Sequence, residues 1–145
     1  MKNTVVLGAA LVLLLAGSAQ AEAPPLVATL QCAPAAGPGR IVCELTAHSR
    51  VGKLVWSDAL VVGAPAFARP LRARVVATDN PASGTASAKL ALVAVSSGSG
   101  VLEVAARAVI CRESAAGSRC TPEWVRVRAA VEVGQTAPGA GGEAP

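Results

Sequence analysis

The chain has 145 residues, a formal net charge of +4 and only three aromatic side chains, Trp56, Phe67 and Trp124. That is one domain's worth of sequence, and the charge excess is too small to argue for nucleic-acid binding. With no Tyr and so few rings, any core has to be built from Val, Leu and Ala.

The chain opens on Lys2, an apolar run over 5–16, and Gly17-Ser18-Ala19-Gln20-Ala21. A basic start, a short apolar run and an Ala-x-Ala pattern predict an export signal over 1–21, cut after Ala21. The run is shorter than the ~20 apolar residues a membrane helix needs, so no span is expected after cleavage. No Cys follows it, which is unlike a lipoprotein signal. Without Lys2 there remain twelve basic residues, ten of them Arg, against nine acidic ones. The Ala, Gly, Pro and Arg bias fits a high-GC bacterial source.

From residue 22 to 133 no segment sustains a helical apolar stripe with caps at both ends. Strand-like runs recur instead, separated by Gly, Pro, Ser and Asn clusters. Seven strands are predicted, over 26–32, 41–49, 54–62, 71–78, 86–95, 101–111 and 123–133. Spacing of this kind predicts an all-β antiparallel sandwich, immunoglobulin-like in general architecture, with the strand order (immunoglobulin topology or meander) left open. The remainder, 134–145 (GQTAPGAGGEAP, from Gly134), is low in complexity and predicted to be a disordered tail.

Four cysteines fall in two close pairs, Cys32/Cys43 and Cys111/Cys120, each flanking a turn-rich stretch between two strand-like runs. An even count behind an export signal predicts structural disulfides, and neither pair has the C-x-x-C spacing of a redox or zinc motif. Placing Cys32 opposite Cys43 sets Leu30 against Leu45 and Ala28 against Ala47 on one face. Gln31/Glu44, Thr29/Thr46 and Val27/His48 then fall on the other, as a half-buried antiparallel pair requires. Placing Cys111 opposite Cys120 sets Leu102 against Ala129, Val104 against Val127 and Ala106 against Val125. Its other face pairs Glu103 with Arg128 and Arg107 with Trp124, predicting an ion pair and a guanidinium over an indole. Glu123 opposite Ala108 would point inward in this register, which predicts a strand starting only at Trp124. A slip of one residue would turn Arg126 and Arg128 into the core, a costlier result.

The alternative pairing is Cys43–Cys111 with Cys32–Cys120. Cys43, Trp56 thirteen residues later and Cys111 downstream resemble the Cys…Trp…Cys spacing of immunoglobulin domains. That resemblance implies an inter-sheet cystine. There is no Tyr for a tyrosine corner, and Cys111 shares its face with Glu103 and Arg107, whereas an inter-sheet cystine points inward. Register favours local pairing, two hairpins each closed by its own disulfide. By chain-entropy reasoning, each short loop contributes roughly 2–3 kcal/mol.

Chemistry-bearing residues are sparse. His48, the only His, is expected at an exposed strand end; one His without a placed nucleophile or second ligand defines no site. Asp58 interrupts the apolar run 54–62, either as a buried functional carboxylate or at a bulge with Ser57, the latter favoured because alternation fails at Trp56-Ser57-Asp58. Asp79-Asn80-Pro81 reads as a turn, and Ser96–Gly100, followed by a strand and lacking a Lys, as a connection and not a phosphate loop. Arg69, Arg72 and Arg74 are the densest basic segment, with Arg72 and Arg74 expected on one strand face, either as ordinary solvated charge or as a contact for an anionic surface. Arg107, Trp124, Arg126 and Arg128 form an Arg/aromatic patch of the types enriched in binding hot spots, and are the candidate binding surface if Trp124 is exposed, the alternative being a Trp124 covered by the C-terminal tail. No metal site, catalytic group or cofactor is predicted.

These observations predict an exported, periplasmic or secreted, non-enzymatic binding or structural protein of the bacterial envelope. Its partner would be another protein or an anionic envelope component. A periplasmic carrier of a small ligand or metal is the alternative class, and a hydrolase resting on His48 a third.

Overall fold

The computed structural model describes residues 22–80 and 84–134; the expected signal (1–21) and all but the first residue of the expected tail lie outside the described residues. Nine strands follow in order: β1 Leu26–Cys32, β2 Gly39–Ser49, β3 Lys53–Gly63, β4 Ala68–Pro70, β5 Arg74–Val76, β6 Thr78–Asn80, β7 Thr85–Ala94, β8 Gly98–Ser114 and β9 Gly117–Val133. They form two antiparallel sheets. The larger runs β1-β2-β7-β4, with β6 also on β7; the smaller runs β5-β3-β8-β9. The chain passes from β2 to β3 in the other sheet before β7 returns beside β2, so neither sheet is a meander. Among the described residues, no helix is long and apolar enough to cross a membrane.

Alternation builds the core. Ile41, Cys43, Leu45 and Ala47 of β2 and Ala86, Ala88, Leu90, Leu92 and Ala94 of β7 point inward from one sheet. Leu102, Val104, Ala106, Ala108 and Ile110 of β8 meet them from the other. Alternating Leu with Ala across facing positions lets small side chains interdigitate without large rings. The sandwich is closed along one side by residues 33–36. The Ala35 N–H donates to the Glu132 carbonyl at 3.0 Å, and the Gly134 N–H to the Ala35 carbonyl at 2.8 Å.

The two disulfides are Cys32–Cys43 and Cys111–Cys120. Their registers carry every cross-strand pair expected of them, including Leu30↔Leu45, Val104↔Val127, Glu103↔Arg128 and Arg107↔Trp124. The two cystines occupy different environments. Cys43 is fully buried on the inner face of its sheet, whereas Cys111 and Cys120 lie on the outer face, with Cys120 exposed.

Three expectations change. Glu123 does pair with Ala108, and β9 begins well before it, at Gly117. The carboxylate is accommodated half-buried, accepting a bond from the Thr121 hydroxyl at 3.3 Å. The expected turn over 112–122 shrinks to two residues between Ser114 and Gly117, the latter at φ 112°, where Gly is favoured. Residues 112–120 are exposed on both faces because the hairpin projects past the core, which is why no alternation marked them as strand.

The expected strand over 71–78 is replaced by three short pieces, raising the count from seven to nine among the described residues. β4 pairs with β7, the chain crosses to pair β5 with β3, then returns to pair β6 with β7. Leu71, Ala73, Val75 and Ala77 do alternate as an apolar face, yet only Ala77 is buried while Leu71 and Ala73 are exposed, because the segment leaves one sheet for the other before it can bury that face against either.

Candidate functional site

β3 carries two register shifts against β8, between Leu54 and Trp56 and between Val61 and Gly63. The first decides what the outer face of the smaller sheet presents. Without the extra residue at Val55, Asp58 would share the inward face of Leu54. With it, Ser57 and Ala59 turn inward and Trp56 and Asp58 outward. The bulge anticipated at Ser57-Asp58 therefore lies earlier, at Val55, and Asp58 is an outward carboxylate.

Asp58 is nonetheless fully shielded from water. Arg107, its partner across β3 and β8, donates from Nε to Oδ1 at 2.8 Å and from Nη2 to Oδ2 at 2.5 Å. Arg74 of β5 donates from Nε to Oδ2 on the other side. Two guanidinium groups thus cap one carboxylate across three strands. Burial on its own raises the Asp58 pKa, but the hydrogen bonds and charges of Arg107 and Arg74 prevail and hold it below its ordinary value. The bond to Asp58 raises the Arg107 pKa in turn, against the opposing effect of burial. The Arg74 guanidinium also lies over the Trp56 ring, 5.7 Å from its centroid.

The four residues of the sequence-derived patch share this outer face but divide their contacts. Arg107 is opposite Trp124 in the ladder, yet its guanidinium turns to Asp58 and not to the indole. A charge-assisted two-point bond to a shielded carboxylate outweighs a stacking contact with an exposed ring. The cation over Trp124 is Arg126, at 5.8 Å from the ring centroid. Glu103 accepts from both Arg126 Nη1, at 3.2 Å, and Arg128 Nε, at 2.8 Å. Half-exposed ion pairs of this kind orient side chains more than they stabilise the fold.

Trp124 remains 63% exposed. Beside it a groove of about 430 Å³ is lined by Trp56, Val109, Pro122 and Trp124, with Arg107 and Glu123. Its two indoles and an arginine are of the types enriched in binding hot spots, and its lining is mainly apolar. Sequence reasoning missed Trp56, Asp58 and Arg74 as members. Only the broken alternation at Trp56-Ser57-Asp58 hinted at them.

The other candidates lie elsewhere. His48 is exposed on the outer face of the larger sheet, opposite Val27 and Thr85. Arg72 and Arg74, expected on one face, are parted by the crossing between sheets: Arg74 joins Asp58, and Arg72 faces the larger sheet. Among the described residues, no group of three His, Cys, Asp or Glu is placed to hold a metal ion.

Two disulfides within the chain are consistent with folding in an oxidising compartment. No protein-family model, no curated protein and no solved structure matches this chain.

Proposed function

We propose that this chain is an exported, non-enzymatic binding or structural protein of the bacterial envelope, engaging a protein partner through the outer face of the β5-β3-β8-β9 sheet. The observation carrying this reading is the exposed Trp124, with Arg126 over its ring and the apolar groove at its side. A large ring on a rigid strand, already held by a neighbouring cation, loses little freedom on being covered by a partner. The Asp58 clasp makes that face stiff by joining β3, β5 and β8.

The fold reading that accompanies this is immunoglobulin-like. In that architecture the two sheets run A-B-E-D and C′-C-F-G. The orders β1-β2-β7 and β5-β3-β8-β9 correspond to A-B-E and C′-C-F-G, with β3 as C and β8 as F, and β6, also on β7, follows β5 as D follows C′. This chain departs from the immunoglobulin pattern in three respects: β4 lies beside β7 although it precedes β5, its cystines lie within hairpins, and its strand-C Trp56 faces outward. The fold frames the site; the function rests on the site.

The test is affinity capture of the tagged, exported chain from an envelope extract at low and high salt, beside Trp124→Ala and Arg126→Ala variants. A stoichiometric protein that survives high salt and is lost from the variants is the expected result. Capture only of anionic material, released by salt and indifferent to Trp124→Ala, would overturn it. The alternative class, a small-ligand carrier, draws on the same groove; saturable quenching of Trp fluorescence by a small apolar molecule in place of protein capture would favour it.

A further inference from the structure

The edge of the larger sheet contains a gap. β4 pairs with β7 at residues 92–94 and β6 pairs with it at 85–87, while the chain between them crosses to the other sheet. Among the described residues, 88–91 of β7 therefore have no strand beside them on that side. One backbone bond crosses there, from the Leu71 N–H to the Ala91 carbonyl at 2.9 Å. In an antiparallel ladder, residues of one parity direct both N–H and C=O to the same neighbour. Lys89 has the parity of Ala91, so its backbone N–H and C=O both face the gap.

A cleft of about 300 Å³ opens at this place, lined by Arg40, Leu71, Arg72, Val75, Lys89 and Ala91. Three of those six residues are cations, brought from β2, from the crossing segment and from β7. None of the six is a carboxylate. Arg69 flanks Val93 on the same sheet, opposite Arg40, adding a fourth cation nearby. The nearest carboxylate in register is Glu44, across the ladder from Lys89. Among the described residues the ion pairs all involve Arg74, Arg107, Arg126 and Arg128, so Arg40, Arg72 and Lys89 make none. Four arginines of the smaller sheet are thus paired internally, while Lys53, Arg112 and Arg119 at its projecting end and the cations lining the cleft are left unpaired among the described residues, the latter three around one concave opening.

We propose that this cleft binds a phosphate or sulfate group. Three like charges brought together cost Coulombic repulsion that a dianion reverses. Arg forks and a Lys ammonium are the side chains suited to a tetrahedral oxyanion, and a backbone N–H facing the gap supplies a fixed dipole. Ala91 keeps the floor shallow, while Leu71 and Val75 offer apolar contact. The volume exceeds that of a bare anion, so the bound species is an ester carrying a short sugar, glycerol or aliphatic portion. This site is on the opposite sheet from Trp124, and the proposal does not rest on the partner surface described above.

The test is titration of inorganic phosphate, and separately sulfate, into isotope-labelled protein at constant ionic strength, with chloride as the control and the Arg72, Lys89 and Ala91 amides observed. Saturable shifts at these amides are expected. Affinity should fall about tenfold in Arg72→Ala and in Lys89→Ala, as removal of a charge-assisted contact predicts, and stay unchanged in Trp124→Ala. A second arm uses vesicles of phosphatidylcholine with and without phosphatidic acid. Binding only to the phosphatidic acid vesicles assigns the group to a lipid headgroup; phosphate or sulfate binding without vesicle binding assigns it to a soluble ester. Shifts no greater than those of chloride together with no vesicle binding, or binding indifferent to both cation variants, would overturn the proposal. All three cations are exposed, so the variants test the cleft and not the fold.

Discussion

Asp58 and Arg107 face one another across β3 and β8, and the guanidinium bonds both carboxylate oxygens, 2.8 Å from Nε to Oδ1 and 2.5 Å from Nη2 to Oδ2. Arg74 completes the cap from β5, which is held to β3 by only three ladder pairs. One carboxylate therefore fastens the short strand that crosses between the sheets.

Removing that charge while keeping its shape loosens the fastening. Asp58→Asn should cost about 1–3 kcal/mol, below the loss seen for fully buried pairs because both arginines are partly exposed and can rehydrate. Urea unfolding measures it, and amide exchange should show β5 opening first. A midpoint equal to the parent's would mean the pair contributes nothing.

The same group gives a pH dependence with a definite sign. Its folded pKa lies below the value of 3.8 it has when unperturbed. Between those two values the unfolded chain binds the proton and the folded chain does not, so acid favours unfolding. The contribution is complete above about pH 5, where both states are ionised, and is lost as pH falls through the lower, folded value. Urea midpoints across this acid range should drop more steeply for the parent than for Asp58→Asn, whose profile lacks this component.

The two disulfides should differ in effect. Both close short loops, with sequence separations of 11 and 9, so the entropic part is alike at roughly 2–3 kcal/mol. Cys43 is also part of the core, whereas Cys120 is exposed on the projecting hairpin. Replacing Cys32 and Cys43 by Ala should therefore cost about 1 kcal/mol more than replacing Cys111 and Cys120, through the lost packing. Thermal unfolding of the paired variants checks the order.

Ser57 points its hydroxyl into the apolar core with no hydrogen-bond partner among the described residues. Ser57→Ala removes a desolvated polar group at little change in volume and should stabilise the protein by about 1 kcal/mol. A lower urea midpoint in this variant would contradict that account.

Gly52 is required for a different reason. Its backbone is not left-handed, but a Cβ there would lie 2.5 Å from the Cys111 carbonyl oxygen. Gly52→Ala should cost about 1–3 kcal/mol by pushing the β2–β3 turn off β8. Thermal unfolding should show the loss without any change in disulfide content.

Much of the fold was legible because β pairing obeys local arithmetic. Once Cys32 is set opposite Cys43 and Cys111 opposite Cys120, two-residue periodicity assigns every other pair in those hairpins, and a one-residue slip would turn Arg126 and Arg128 inward. The choice of Trp124 with Arg126 and Arg128 as a face followed from the same spacing. Periodicity fails where the chain changes sheet, at 71–78, and where an extra residue enters the ladder, at Val55. The extra residue leaves only the broken alternation at Trp56-Ser57-Asp58, which does not say which residue bulges, and the crossing leaves no mark, since each is decided by which distant strand lies alongside.

The sequence by itself determined the all-β class, the disulfide pairing and the registers of the two hairpins, because these depend on neighbours a few residues apart in the ladder. Only the tertiary structure decided that Arg107 belongs to Asp58 and not to Trp124, that Arg72 and Arg74 part to opposite sheets, and that Arg40, Arg72 and Lys89 meet at a gap. Those outcomes join residues remote in the chain. Long side chains choose among several partners within reach, and the choice falls where charge, shielding from water and geometry favour one of them.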